Sequence, residues 1–189
     1  MYKVGILGHS LFSPYTQGGN YFGESQDNFN FNLRFFCQGG ATFSSITSSS
    51  AYSDLLVFSP DLVILVLGGN DLINGCRIGD VYSDLVQLVD TINNYCSPQF
   101  GVHILEPEHR VGDPRFVGQS DYLSLRNSLS RKIKHTNFPY FLPLIKHGVN
   151  RNLLSDDGVH LDDCGQALLL TVLKDHISNI LPDDCNDDS

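Results

Sequence analysis

Four short stretches of the sequence carry the residue types that acyl transfer requires: Gly8-His9-Ser10, Gly39-Gly40-Ala41-Thr42, Gly68-Gly69-Asn70-Asp71 and Asp157-Gly158-Val159-His160. That chemistry needs a nucleophile, a base to take its proton, a group that orients the base, and donors placed where charge develops on the carbonyl oxygen. Ser10 offers a hydroxyl on a turn that closes an apolar run. Histidine titrates near neutral pH and so suits the base. His160 shares a short loop with Asp157, which can reach the far ring nitrogen, fix the tautomer and stabilise the imidazolium. For the oxyanion, Gly40 brings a backbone N–H with no side chain in the way, Asn70 a side-chain NH2, and Ser10 its own backbone N–H.

Each assignment has a competitor. A serine after a strand more often serves as a turn or N-cap residue, and a loop histidine is usually a surface residue, so the weight comes from all four stretches occurring together. Gly39 rivals Gly40, and either could be a left-handed turn residue. Asn70 could cap its own loop, although Asp71 suits that role better. Asp156 is the alternative orienting acid, while the three-residue spacing to His160 favours Asp157. His9 admits three readings: a satisfied structural side chain, a modulator of the pocket's charge, or a second base. His103, His109, His135, His147 and His176 have no partners at metal-ligand spacing, so neither a metal nor a cofactor is expected.

The elements that must position these residues are legible in outline. Tyr2 to Leu7 and Leu62 to Leu67 are short apolar runs ending at glycine, as buried parallel strands read. Asn32 to Cys37, Phe100 to Leu105 and Tyr140 to Leu142 are weaker strand candidates. Helical patterns lie between and after them: Thr42 to Leu56, Val81 to Tyr95, Tyr122 to His135 and Asp163 to Ile180. Strands alternating with helices predict a parallel sheet of about five strands covered on both faces, and its strand ends would gather the four stretches at one edge. Phe12 to Asn30 and Glu106 to Gly118 read as loops and as candidate pocket walls. The aromatic residues Phe12, Tyr15, Tyr21, Phe22, Phe29 and Phe31 either pack beneath the first loop or form an acyl- or sugar-binding wall.

At 189 residues the chain suits a single domain, expected over 1–181, with an acidic tail over 182–189 that holds Asp183, Asp184, Asp187 and Asp188. A net charge of -9, with twelve Lys and Arg scattered along the chain, argues against nucleic acid as a partner. The apolar runs are too short to span a membrane and no signal peptide is visible, which predicts a cytoplasmic protein with free thiols at Cys37, Cys76, Cys96, Cys164 and Cys185.

Together the four stretches resemble the blocks of the SGNH, or GDSL-like, hydrolases, in family order from Gly8 to His160. One departure is His9, which stands where the family's first block usually has Asp. The resemblance implies a flavodoxin-like three-layer α/β/α sandwich and metal-free hydrolysis of ester or thioester bonds. It implies Ser10, Asp157 and His160 as the triad and Ser10, Gly40 and Asn70 as the oxyanion hole; the Gly-Ala-Thr continuation matches the family block better with Gly40 than with Gly39. The expected substrate is a small-molecule, glycan or lipid ester, with short acyl groups such as acetyl favoured. The alternative is a binding module that keeps the fold without turnover. The missing Gly-x-Gly-x-x-Gly and Gly-x-Ser-x-Gly patterns argue against a dinucleotide binder and an α/β-hydrolase.

Overall fold

A computed structural model describes residues 1–15, 30–110, 119–136 and 140–182. Among these residues, strands β1 (Tyr2–Gly8), β2 (Phe31–Cys37), β3 (Leu62–Val66), β4 (Val102–Leu105) and β5 (Phe141–Leu142) form one all-parallel sheet in the order β2-β1-β3-β4-β5. Successive side chains of a strand face opposite ways, so each strand feeds two cores. Val4 and Ile6 of β1 join Leu62, Ile64 and Val66 of β3 on one face, whereas Leu7, Val63 and Leu65 occupy the other. Burying each such side chain contributes about 1.5–3 kcal/mol before the entropy of ordering it is counted.

The helices close both faces. Leu169, Leu173 and Ile177 of α5 (Asp163–Ile180) cover the first, and α1 (Ser50–Phe58), α3 (Ile78–Cys96) and α4 (Gln119–His135) cover the second through Leu55, Leu85 and Leu129. The five-residue helix α2 (Gly69–Ile73) follows β3 directly. This is the expected three-layer α/β/α sandwich.

Local chemistry explains where elements depart from their expected bounds. α1 begins at Ser50 instead of Thr42, because Thr42 and Ser45 exchange backbone-to-hydroxyl bonds and Ser49 caps the helix by accepting from the Tyr52 N–H. Such hydroxyls compete with a helix ladder and favour turns and caps. β4 begins at Val102 because Gly101 closes a turn onto Pro98, and α2 is too short to show a period. α5 begins at Asp163, with Asp162 accepting from the Gly165 N–H at 2.7 Å. The first predicted loop opens with a 3-10 helix, Ser10–Tyr15. Phe12 and Phe31 belong to the core, while Tyr21, Phe22, Phe29 and positions 183–189 of the expected tail lie outside the described residues. Among the described residues Cys37, Cys76, Cys96 and Cys164 are free thiols, and no helix is long and apolar enough to cross a membrane.

One buried contact couples the fold to pH. His103 on β4 lies with Nε2 3.0 Å from the Phe100 carbonyl and Nδ1 2.8 Å from Nε2 of His176 on α5, under the stacked Tyr140 ring. A carbonyl only accepts, so His103 donates from Nε2 and accepts at Nδ1 from His176. Burial, then the neighbouring His176, push the His103 pKa down to about 4. The unfolded chain therefore binds more protons than the native state between about 6.5 and about 4, and stability falls as pH drops through that window. Urea unfolding is expected to lose about 2 kcal/mol to this group between about pH 7 and about pH 5, and His103→Gln is expected to flatten that slope. Identical slopes in the two proteins would contradict it.

Candidate active site

Ser10 leaves the end of β1 at the head of a 3-10 helix, where the first N–H groups have no partner within the helix. Asn70 lies in α2 after β3, and Asp157 and His160 lie on the loop before α5. Parallel register aligns the ends, with Gly8 opposite both Cys37 and Val66.

The Ser10 hydroxyl lies 3.0 Å from His160 Nε2, and His160 Nδ1 lies 2.6 Å from Asp157 Oδ2. A carboxylate only accepts, so Nδ1 carries the hydrogen and Nε2 is left to accept from the serine. The other Asp157 oxygen accepts from the backbone N–H groups of Val159 and His160 and from the Ser155 hydroxyl, at 2.7–2.9 Å. Hydrogen bonding from the His160 ring, and then from these backbone groups and Ser155, outweighs the effect of burial and holds the Asp157 carboxyl well below the usual carboxylate range. Asp157 thus stays ionised throughout the neutral range, as an imidazolium partner must. Asp156 is exposed, and it is the Asp157 carboxylate that stands at His160.

After β2, the Ala41 N–H closes a turn onto the Gln38 carbonyl, with Gly40 at φ 72°. A positive φ at the third position is what a type II turn requires, and glycine adopts it without steric cost. The Asn70 amide donates through Nδ2 to the Ala41 carbonyl at 2.8 Å, which leaves its second Nδ2 hydrogen unassigned. Asp71 bonds across to another loop. Its buried carboxylate accepts from the Phe43 N–H at 3.2 Å and so ties α2 to the Gly40 loop, and burial raises its pKa to about 6. A cleft of about 450 Å3, lined by Gly39, Gly40, Ser45, Ser48, Ser49 and Ser50, opens beside this loop.

His9 is 1% exposed, accepts at Nδ1 from the Leu11 N–H at 3.3 Å, and holds Nε2 3.2 Å from both Glu108 oxygens. Of the three readings, this geometry fits the satisfied structural side chain. Glu108 and Arg110 lie in the loop expected as a pocket wall, and the sequence signal that marks them is a charged run, Glu106-Pro107-Glu108-His109-Arg110, placed directly after an apolar strand. Burial alone would push the Glu108 carboxyl up, but Arg110 and His9 beside it outweigh that and hold it well below the usual range. Among the described residues no group of three or more His, Cys, Asp or Glu could hold a metal ion.

No family model and no curated protein matches the chain in sequence. Solved structures do match in fold. An acetyl xylan esterase is 18% identical with a TM-score of 0.70, over 93% of this chain and 99% of that one. A lipase/acylhydrolase from Enterococcus faecalis is 15% identical with a TM-score of 0.71, over 97% and 99%. A GDSL-like lipase from Bacteroides thetaiotaomicron is 14% identical with a TM-score of 0.71, over 95% and 89%. With its five-stranded parallel sheet and matches over most of its length, the chain has the fold of the SGNH, GDSL-like hydrolases.

Proposed function

We propose that this chain hydrolyses carboxylic esters with short acyl groups, acetyl first, through an acyl-enzyme on Ser10. The observation that carries the reading is the unbroken hydrogen-bonded chain Ser10–His160–Asp157 at 3.0 and 2.6 Å. In the first step the Ser10 oxygen bonds to the ester carbonyl carbon as its proton passes to His160 Nε2, and the carbonyl oxygen takes the negative charge. Three donors, the Ser10 and Gly40 N–H groups and the spare Nδ2 hydrogen of Asn70, receive that oxyanion. Collapse expels the alcohol, which takes the proton from His160. Water then repeats the sequence on the acyl-enzyme and releases the acid.

The acetyl xylan esterase of like fold makes acetylated carbohydrates the first natural class to try. A series of p-nitrophenyl esters is expected to show kcat/KM highest for acetate and falling with chain length, and a fluorophosphonate is expected to label Ser10 and nothing in Ser10→Ala. A maximum at a long chain would overturn the acyl preference. Absence of both turnover and labelling would instead favour a binding module.

A further inference from the structure

We propose that Glu108 and Arg110 are positioning residues of this site: through His9 on one side and Asn70 on the other, they hold the oxyanion amide in its donating orientation. The inference rests on the esterase reading above. Arg110 gives all three of its nitrogens away within the protein. Nε and Nη2 donate to Glu108 Oε1, at 2.7 and 2.5 Å, and Nη1 donates to Asn70 Oδ1 at 3.0 Å. It is 5% exposed and Glu108 is 2% exposed, so the pair acts on its protein neighbours and not on solvent.

A side-chain amide can sit in two orientations related by a half-turn, and only one presents N–H to the oxyanion. Arg110 selects between them. With Oδ1 against the guanidinium, Nδ2 faces the Ala41 carbonyl and keeps one hydrogen to spare. After the half-turn, donor would face donor at Arg110 and acceptor would face acceptor at Ala41. The guanidinium charge held against Oδ1 also polarises the amide and strengthens its remaining N–H as a donor.

The pair is itself held. Glu108 faces His9, the residue before the nucleophile, and its backbone carbonyl accepts from the Tyr122 hydroxyl on α4 at 2.9 Å. Arg126, also on α4, donates to the Pro107 carbonyl at 2.6 Å. The residue before Asn70 is shaped to the pair as well, since a Cβ on Gly69 would stand 2.5 Å from Glu108 Oε1 and 2.7 Å from Arg110 Nη2. One polar chain, His9–Glu108–Arg110–Asn70–Ala41, therefore connects Asn70 itself to the neighbours of the other two oxyanion donors, Ser10 and Gly40. His9, in place of the family's usual Asp, supplies the N–H that a carboxylate there would lack.

A double-mutant cycle tests this. Arg110→Lys keeps a positive charge for Glu108 and loses the fork that reaches Asn70. In the native background it is expected to lower kcat on p-nitrophenyl acetate by roughly ten- to thirty-fold with little change in KM, within the larger loss of about a hundred- to a thousand-fold for Asn70→Ala. In the Asn70→Ala background the same change is expected to cost less than about threefold. Equal losses in the two backgrounds, or no loss in the native one, would overturn the proposal. Should Arg110→Lys fail to fold by thermal melting, Glu108→Gln with Arg110→Met removes both charges together and is judged by the same comparison. A native protein that turns over no ester and takes no fluorophosphonate would remove the esterase reading and this proposal with it, whereas an active native protein with equal losses rejects the positioning role alone.

Discussion

Ser10→Ala and His160→Ala are each expected to cut p-nitrophenyl acetate turnover by about ten-thousand- to a million-fold, and the double variant to be no slower than either single one. The reason is that the two groups act as one. Without the hydroxyl there is nothing for the imidazole to deprotonate, and without the imidazole the hydroxyl is a poor nucleophile. What remains is the residual acceleration from binding and the oxyanion donors, which neither change touches directly. Both residues are half-buried, and neither belongs to the hydrophobic core, so the melting temperatures of the variants are expected to stay close to that of the parent. Steady-state turnover with purified variants, checked with a fluorophosphonate for any labelled contaminating esterase, makes the measurement. A Ser10→Ala protein with more than about a tenth of the parent rate would refute the nucleophile assignment.

How much of this was legible in the chain depends on the range of the contacts. Asp157 and His160 are three residues apart and meet on one turn, so their spacing in the sequence is already their geometry. α5 was legible because its apolar residues recur along one face. β1 and β3 were legible because strands buried on both faces must be apolar throughout. The polar chain behind Asn70 was not. His9 and Glu108 are 99 residues apart, and Arg110 and Asn70 are 40 apart; nothing in either neighbourhood announces that they meet. The sequence pattern of Gly69 next to Asn70 reads as a turn, whereas its packing role depends on an ion pair from a different strand end. Local periodicity reports which face is buried, and long-range polar pairing leaves no such period.

Asp157→Asn is expected to lower kcat by about a thousand- to ten-thousand-fold, while Asp156→Asn stays within about twofold of the parent. The asymmetry follows from hydrogens. An asparagine at 157 can keep its oxygen toward the N–H groups of Val159 and His160, at 2.8 and 2.9 Å in the parent, so the loop retains its shape. Its NH2 then faces His160 Nδ1, which must accept instead of donate. The ring's one hydrogen is forced onto Nε2 and points at the Ser10 oxygen, where an acceptor is required. The triad keeps its distances and loses its base. Asp156 is exposed beside it, so the same chemical change there alters one solvated charge. Measuring both variants side by side makes each the control for the other's change in charge. A larger loss at Asp156 would transfer the orienting role to it, and equal small losses would mean that His160 works without an orienting acid.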